Sequence, residues 1–422
     1  MSSPGEVLPR EKSIAERFDA YVKKVGARLY KPCLRFLREA LFGLLQGRST
    51  LLSQIGRALD EPRRLIHTEK RLSRNLASER YDDAAVEADY LRLVAPILRD
   101  ERSPRPVIAV DLTDIIKPRA KKMPFLSTVR DGSTGDFGNG FNIISLEAVG
   151  VGGRRLPLLS RLFSKAAPGF KGQNETVLEA VAVVRPYVPD DAFWTFDSGF
   201  DGHDFFKCFE ELGLAHAVRL SLPNDRFLHT PQGIEKLSAV LARLLLPHAY
   251  KPQHKCGKLT GRRRVLQLGF VRDVHLSEVT DRGSPTYRPD KRRYCLVVAC
   301  GPRPEQDPLL ILTTEDVMTS EDAGRVVEVY LSRWGVEEAN CFTKQGFDLE
   351  DVRALTWTGL KRMVQLVQLA YGFLALLVHG PRKQVERIAS GFKAFGPVPT
   401  YLYYRLLEGL GRLLRNAMDS GP

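Results

Sequence analysis

Residues 320–344 carry the densest chemistry in the chain, and they read SEDAGRVVEVYLSRWGVEEANCFTK. The spacing of the apolar residues, with Ser320 as N-cap, predicts one continuous amphipathic helix. With about 100° of rotation per residue, one narrow stripe of that helix holds four polar residues: Tyr330, Arg333, Glu337 and Lys344. A carboxylate is therefore expected beside an aromatic ring and two cations.

A neighbouring band of this predicted helix is apolar and is expected to pack against a core. Its members are Val327, Leu331, Trp334 and Phe342. The same pattern is also typical of an amphipathic helix whose charged side is merely solvated. The functional interpretation therefore depends on what the rest of the chain supplies.

The composition favours a polyanionic partner. The chain has 422 residues, which is enough for two or three units with a well-buried core. Its 63 Lys and Arg outnumber its 50 Asp and Glu, which leaves a formal net charge of +13. Because several basic runs carry this excess, nucleic acid is the first candidate partner.

Cysteine usage and hydropathy favour a cytoplasmic protein with no membrane partner. The six cysteines form no CxxC pair, so neither a disulfide framework nor a zinc ribbon is indicated. His248, His254 and Cys256 lie close together but lack a fourth metal ligand at suitable spacing. The N-terminus has no apolar core of a signal peptide, and the apolar run 364–378 is too short to span a bilayer.

Helical and strand patterns divide the chain into three predicted regions. Residues 1–103 form an all-helical domain, which we expect to bind DNA. Residues 104–380 form a mixed α/β domain with a β-rich insertion at about 222–308, because three strands are followed by alternating helices and strands. Residues 381–422 form a C-terminal helical region.

The N-terminal region contains a helix–turn–helix spacing whose second helix is predicted at 62–77, with Pro62 in its first turn. Basic residues share one face of that helix: Arg63, His67, Lys70, Arg71 and Arg74. Such a face can enter a major groove. It is also common on solvated surface helices, so both interpretations stay open.

Two aspartates upstream are each predicted to end an apolar strand. Asp111 follows VIAV in VIAVDLTD, and Asp197 follows AFWTF in AFWTFDSGFDG. If Glu337 packs beside them, three carboxylates converge and repel one another unless cations intervene. Hard oxygen ligands with open water positions are what Mg²⁺ prefers, and two such ions support phosphoryl transfer.

Each carboxylate also fits a structural role. Asp111 suits a turn and Asp197 an Asx-turn or a helix cap, while Glu337 suits an exposed helix surface. Three neighbouring acids are close competitors for the catalytic positions: Asp114, Asp201 and Glu338.

Together these residues resemble a known family. A Tyr, an Arg, a Glu and a Lys separated by two, three and six residues occupy positions 330–344, as in the YREK signature of bacterial insertion-sequence DDE transposases of the cut-and-paste group. Asp111 in DLT and Asp197 in DSGFDG precede them in the order of that family. The resemblance extends over residues 105–378.

The resemblance implies a ribonuclease-H-like, retroviral-integrase-type α/β core with a β-rich insertion between the second Asp and the Glu. A helical N-terminal domain precedes this core and C-terminal helices follow it. The implied ligands of two Mg²⁺ ions, which Mn²⁺ can replace, are Asp111, Asp197 and Glu337.

The resemblance also implies contacts to transposon-end phosphates. The residues that would make them are Tyr330, Arg333 and Lys344, with Arg219 as a further backbone contact. The implied partners are double-stranded DNA with terminal inverted repeats, target DNA and a second copy of the chain in a synapsed homodimer. A bacterial, nucleoid-associated location follows from the same resemblance.

The activity that the resemblance implies is cleavage at the transposon ends, hairpin formation and reopening, and joining of the 3′ ends to target DNA. Relatives that form hairpins hold a flipped base on an aromatic residue in or near the insertion. This chain offers several candidates and no basis for a choice: Phe227, Tyr250, Phe270, Tyr287 and Tyr294.

Two other functions stay open on the sequence. One is a non-catalytic DNA-binding relative, domesticated or regulatory, which the three intact carboxylates disfavour. The other is a metal-dependent DNA nuclease without strand transfer, which the carboxylates do not distinguish from a transposase.

Replacing Glu337 by Gln is expected to abolish DNA cleavage while binding to the DNA end changes by only a few-fold. The substitution removes a metal ligand and leaves the phosphate contacts in place. Cleavage and electrophoretic binding of one labelled end duplex measure both effects, with the unsubstituted chain as control. Cleavage that persists in E337Q would remove Glu337 from the catalytic set.

Overall fold

The computed structural model describes residues 13–100, 104–132, 134–151, 154–221, 226–253, 265–281, 284–302, 307–380, 385–386, 388–389 and 401–419. Two parts of the chain discussed above lie outside these ranges: the N-terminal segment, residues 1–12, and His254 with Cys256.

The helices of the described ranges are, in chain order, α1 (Ile14–Val25), α2 (Lys31–Gly47), α3 (Leu52–Ala58), α4 (Leu65–Leu76), α5 (Asp83–Leu98), α6 (Gln173–Val184), α7 (His203–Glu211), α8 (Leu237–Arg243), α9 (Ser320–Ser332), α10 (Trp334–Gly346), α11 (Trp357–Val378) and α12 (Tyr403–Asp419).

The strands are β1 (Val107–Ile116), β2 (Ser127–Arg130), β3 (Phe137–Val151), β4 (Arg154–Phe163), β5 (Phe193–Phe196), β6 (Ala215–Arg219), β7 (Phe227–Thr230), β8 (Gly233–Lys236), β9 (His248–Tyr250), β10 (Leu266–Asp281), β11 (Ser284–Pro289), β12 (Tyr294–Cys300) and β13 (Leu309–Thr313).

The chain forms two compact units, and each is described by itself. The first comprises Met1–Pro104, Leu112–Pro189 and Val336–Pro422, and the second comprises Arg105–Asp111 and Asp190–Gly335. Strand β1 contributes its first half to the second unit and its second half to the first. The three-domain division made on the sequence stays a prediction.

The first unit is built around helix α11. The Tyr21 hydroxyl of α1 donates to the Leu369 carbonyl of α11 at 2.7 Å, and the Phe18 ring meets Phe373 edge to face at 5.4 Å. The helix is longer than the apolar run 364–378, and by length and composition it could cross a membrane. However, 94% of its apolar window is buried inside the protein, which is typical of a core helix.

The first unit also contains an antiparallel sheet around β3. This strand pairs with β2 near its start and with β4 along the rest of its length. The second half of β1 adjoins β3, since the Lys117 N–H donates to the Asn139 carbonyl at 2.7 Å. Only glycine fits at Gly140, where a Cβ would collide with the carbonyl oxygen of Ile115. The strands therefore approach closely at this point.

The second unit has a mixed sheet covered by helix α9. The first half of β1 runs parallel to β5, which runs parallel to β6. Strands β13, β12 and β10 continue the sheet in antiparallel order. Val327 and Leu331 of α9 are buried in the same hydrophobic cluster as Ile311 of β13 and Val297 of β12. The amphipathic spacing of α9 thus buries its apolar side on the sheet.

The predicted fold class is confirmed. Strand β1 lies between β3, which pairs antiparallel with β2 and β4, and β5, which runs parallel to β1 and to β6; this is the ribonuclease-H-like arrangement of a mixed α/β fold. Helices α1 to α5 precede this core, and helices α11 and α12 follow it. Strands β7 to β12 lie between Asp197 and Glu337, where the β-rich insertion was predicted.

Strand β1 is longer than predicted. It continues past Asp111 to Ile116, so Asp111 lies inside the strand and does not end it. Residues Leu112 to Ile116 stay extended because β3 supplies a neighbouring backbone, as the bond from Lys117 to Asn139 shows. A partner so distant in sequence is invisible to a local strand pattern.

The helix predicted over 320–344 is two helices, interrupted at Arg333. The Arg333 N–H donates to the Tyr330 carbonyl at 3.0 Å, and the Ser332 hydroxyl donates to the Val329 carbonyl at 2.6 Å. In an uninterrupted helix the Val329 carbonyl would accept the Arg333 N–H. The serine side chain therefore takes an acceptor that the helix ladder needs.

Other local predictions on this segment and the insertion were also wrong. Thr319 is the N-cap of α9 and forms a capping box with Asp322, so Ser320 is the first helical residue. Trp334 follows the interruption and is 43% exposed, unlike the other members of the predicted apolar band. Within the insertion, the apolar spacing of residues 234–245 predicts one helix. The structure instead has strand β8 followed by the short helix α8.

Replacing Arg362 of α11 by Met is expected to lower the free energy of unfolding by about 2–4 kcal/mol. Its guanidinium is 1% exposed, is bonded twice to the Asp83 carboxylate, and donates to the Leu76, Ser78 and Tyr81 carbonyls. The Met side chain fills the space but leaves those buried acceptors without donors.

Thermal and denaturant unfolding measure this loss. The matched control is Arg353→Met, because Arg353 is 70% exposed at its side chain and pairs only weakly with Asp351 at 3.3 Å. An Arg362→Met protein as stable as the Arg353→Met protein would contradict the assigned role.

Candidate active site

Two aspartates stand level with each other on neighbouring parallel strands of the second unit. Ala109 of β1 is the register partner of Thr195 of β5. Two residues further along each strand, the same register brings Asp111 opposite Asp197, and strands of a sheet are about 4.8 Å apart. Asp197 follows β5 directly, as predicted. Residues at equal steps along both strands point to the same face, so the carboxylates are neighbours.

The phenol of Tyr330 lies within the electrostatic influence of this pair. Tyr330 is 5% exposed, and burial is the main cause that raises its pKa to about 12. The positive charges of Arg333 and Arg219 lower this pKa, while the negative charge of Asp197 raises it. The hydroxyl therefore keeps its proton at neutral pH and remains a hydrogen-bond donor.

Arg333 connects the aspartate pair to the tyrosine. Its Nη1 lies 3.3 Å from Asp111 Oδ1, and its guanidinium carbon lies 5.9 Å from the centre of the Tyr330 ring. Arg333 is only 9% exposed, so solvent screens the pair with Asp111 weakly. Arg219 is the last residue of β6 and is partly exposed. The second unit thus brings together five predicted residues: Asp111, Asp197, Arg219, Tyr330 and Arg333.

The remaining two YREK residues belong to helix α10 of the first unit. Glu337 is partly buried in its first turn, and Lys344 lies in its last turn. They lie seven positions apart, which is two helical turns, so they share one side of the helix. Lys344 Nζ lies 3.5 Å from Asp114 Oδ2 and 3.2 Å from Glu350 Oε1.

The competing carboxylates have structural partners. Asp201 is buried, accepts from the Ser221 N–H at 2.7 Å, and pairs with Arg226 at 2.7 Å. Glu338 pairs with the Arg155 guanidinium. Asp114 accepts from the Gly132 N–H at 3.1 Å in addition to its contact with Lys344. Each of the three acids thus has a structural partner, and the preference for Asp111, Asp197 and Glu337 as catalytic residues stays a prediction.

The four N-terminal residues predicted to contact DNA differ from one another in exposure and in ion pairing. Helix α4 begins at Leu65, so Arg63 precedes it and pairs with Glu61 at 3.4 Å. The Arg71 guanidinium pairs with Glu39 and lies 2.8 Å from Glu61. Lys70 and Arg74 are exposed. The exposed basic side of α4 therefore excludes Arg71, and its binding to DNA stays a prediction.

The aromatic residues proposed for a flipped base are mostly covered. Tyr294 is 1% exposed, Phe270 packs against the hydrophobic cluster of the second unit, and the Tyr250 hydroxyl donates to Glu328 at 2.8 Å. Lys236 Nζ lies 5.8 Å from the centre of the Phe227 ring. The side chain of Tyr287 lies outside the described residues. Tyr294 has no face open for stacking.

The aspartate pair suits a divalent cation in its chemistry. Carboxylate oxygens are the donors that Mg²⁺ prefers, and Asp111 and Asp197 supply them from adjacent strands. In the described ranges, however, no three His, Cys, Asp or Glu side chains are gathered as they would be around an assembled metal centre. The Arg333 guanidinium supplies the positive charge next to Asp111 in this structure.

Comparison with known protein families gives a match over the second half of the site. Residues 167–373 match the family model described as "Transposase DDE domain". This range includes Asp197 and the YREK residues and begins after Asp111. This family match spans just under half of the chain. Among curated proteins, no sequence matches the chain.

One similar solved structure is the piggyBac transposase in a synaptic complex with hairpin DNA. It shares 12% sequence identity with the chain at a TM-score of 0.43, and the alignment covers 96% of this chain and 79% of that one. A similarity of this size carries no argument about activity. The family match, with the aspartate pair on a ribonuclease-H-like sheet, supports a DDE transposase.

Two features of the site have no signal in the sequence. The ion pair between Arg333 and Asp111 joins residues 222 positions apart. Asp114 contacts both Lys344 and Gly132, although on the sequence it was only a competitor of Asp111. For the second feature the sequence held a partial clue. Asp111 and Asp114 are three residues apart on β1, and residues three apart on a strand point to opposite faces.

Replacing Arg333 by Ala is expected to weaken binding to the DNA end and to lower its salt dependence. Each phosphate contact contributes about −0.9 to the slope of log K against log salt concentration. Arg333→Lys keeps the charge and is expected to keep most of that slope. Binding titrations at several salt concentrations measure it.

Arg325→Ala is the matched control, because Arg325 lies on the same helix α9, is 74% exposed at its side chain and pairs with Asp322. Its slope should equal that of the unsubstituted chain. An unchanged slope in Arg333→Ala would move Arg333 away from the DNA.

Proposed function

We propose that this protein is a bacterial insertion-sequence DNA transposase of the YREK type. It cleaves at transposon ends and joins the 3′ ends to target DNA by phosphoryl transfer. The observation that carries the proposal is the level placement of Asp111 and Asp197 on parallel strands, beside Tyr330, Arg333 and Arg219. Two carboxylates next to one buried and one partly exposed cation suit the handling of phosphate diesters.

Asp111, Asp197 and Glu337 are the proposed ligands of two divalent ions, Mg²⁺ or Mn²⁺. Such ions would neutralise the carboxylates, activate the attacking oxygen and stabilise the leaving oxygen. The donor chemistry of the two strand aspartates supports this assignment. Asp197 already accepts a bond from the Gly199 N–H at 2.8 Å, which fixes the orientation of its carboxylate.

The cationic residues and the tyrosine bind and orient DNA in this proposal. Tyr330 is protonated at neutral pH and donates to a phosphate oxygen. Arg333 lies between the Tyr330 ring and Asp111, so it can pass from the carboxylate to an incoming phosphate. Lys344 and Arg219 supply further positive charge. An arginine fork holds a phosphate in two directions at once, which sets the angle of the scissile bond.

The proposed partners are double-stranded DNA in two roles, as terminal inverted repeats and as target, and a second copy of the chain when two ends are synapsed. The formal net charge of +13 supports a polyanionic partner. A cytoplasmic, nucleoid-associated location is part of the same proposal.

A nuclease without strand transfer is the second candidate, because the same carboxylates serve both reactions. A regulatory DNA-binding relative is the third. Against it stand the intact carboxylates and the match to a transposase DDE domain.

The test uses the full chain with duplex DNA from both borders of its own reading frame, a supercoiled target plasmid, and Mg²⁺. Excised ends that become joined to the plasmid support the transposase. Cutting without joining supports the nuclease, and binding without cutting supports the regulator. Both of the last two results overturn the proposal.

Asp111→Asn is expected to abolish cutting and joining at unchanged metal concentration, because one ligand oxygen becomes an amide. The control is Asp316→Asn, an aspartate that is 69% exposed at its side chain and pairs with Arg293. Removal of metal by a chelator should stop the reaction in the unsubstituted chain, and Mn²⁺ should restore it.

A further inference from the structure

Strands β2 and β3 of the first unit form an antiparallel ribbon at the edge of the sheet, with one exposed face; β1 adjoins β3 up to Asn139, whose carbonyl accepts from the Lys117 N–H. We define the ribbon as residues 127–130 and 137–140. Arg130 is the register partner of Phe137, and Thr128 is the partner of Asn139. Side chains of directly opposed residues lie on the same face. All four of these residues are exposed, whereas Val129 on the other face is buried.

Phe137 is the unusual member of this face. At 74% exposure it is the most exposed aromatic side chain in the described part of the chain. Exposing a phenylalanine to water costs free energy in the free protein, about 25 cal/mol for each Å² of apolar surface. An aromatic residue beside an arginine at such a position is typical of a binding surface.

The ribbon is held firmly where it turns. The Asp131 N–H donates to the Asp136 carbonyl at 2.8 Å, and the Gly135 N–H donates to the Asp131 carbonyl at 2.8 Å. The Gly132 N–H donates to Asp114 Oδ1 at 3.1 Å, and the other oxygen of Asp114 lies 3.5 Å from Lys344 Nζ. One carboxylate therefore connects the turn of the ribbon to the YREK lysine.

The approach to the ribbon is strongly basic. Residues 117–130, KPRAKKMPFLSTVR, contain five cations and no acid. Arg119, Lys121 and Lys122 of this segment are exposed. Two acids, Asp131 and Asp136, lie in the turn. The surrounding charge thus complements a phosphate backbone.

We propose that the exposed face of the ribbon binds in the major groove of duplex DNA and reads base edges there. This inference rests on the proposed function. A major groove about 12 Å wide admits two strands, and the ribbon presents β2, the edge strand, with β3, whose pairing with β2 continues to Arg130 and Phe137 beyond the contact of Asn139 with β1. The four exposed side chains are of the types that read bases there: Arg binds guanine, Asn binds adenine, and Phe and Thr contact the thymine methyl group.

The first test scans the thymines of the duplex that borders the reading frame, replacing each by deoxyuridine, which lacks the methyl group. The unsubstituted chain should bind several-fold more weakly when one particular methyl group is removed. Phe137→Ala should bind roughly tenfold more weakly to the thymine duplex and should be insensitive to the same replacement. Tyr30→Ala, at an exposed aromatic of the first unit, is the matched control.

The second test replaces guanines by 7-deazaguanine, which removes the N7 acceptor. Arg130→Ala should abolish the sensitivity of binding to one such position. Arg130→Lys should keep the salt dependence of binding while losing much of the preference for that guanine. Thermal unfolding of every variant should match the unsubstituted chain, because each altered side chain is exposed.

The outcomes separate this inference from the proposed function. If the unsubstituted chain cleaves the duplex and Phe137→Ala and Arg130→Ala retain its affinity and base sensitivity, the ribbon face does not read DNA and the proposed function stands. If both variants change self-association and not base sensitivity, the face is a protein contact and the inference is overturned. If the unsubstituted chain does not bind the duplex, both fall.

Discussion

The parallel pairing of β1 with β5 is the constraint on which the site depends. It brings Asp111 level with Asp197, and like charges on adjacent strands repel one another. Nearby positive charge offsets this repulsion. Arg333 at 3.3 Å from Asp111 does so directly, and Arg219 adds its charge near Tyr330. The cations of the candidate site thus stabilise the charged form of the aspartate pair.

The sequence predicted most helices and strands, because their apolar periods survive in the structure. Strand β5 ends directly before Asp197 as predicted, and the helix predicted at 62–77 is α4, Leu65–Leu76. The failures come from contacts that the apolar periods do not encode. Strand β1 continues past Asp111 through pairing with a distant strand, and α9 ends where the Ser332 side chain takes a carbonyl of the ladder. Neither effect leaves a periodic signal.

The stripe of four polar residues was predicted on one continuous helix, and that prediction was wrong. Tyr330 and Arg333 meet at the end of α9, and Glu337 and Lys344 share a side of α10, although the helix is not continuous. The YREK spacing singled out these four residues, but the assumption of one helix gave an incorrect arrangement of their side chains around its axis. Asp201 and Glu338 pair with arginines, as Asp111 does with Arg333, so ion pairing alone does not distinguish the catalytic carboxylates. The assignment of Asp111, Asp197 and Glu337 stays a prediction.

Each of the two cations of the YREK motif is paired with a carboxylate of its own unit. Arg333 pairs with Asp111, and Lys344 pairs with Asp114 and Glu350. Binding a phosphate must therefore exchange one anion for another, so the net gain is smaller than a free cation would provide. Asp114 holds the Gly132 N–H as well as Lys344. The two oxygens of Asp114 thus contact the YREK lysine and the turn between β2 and β3, so one carboxylate supports both places.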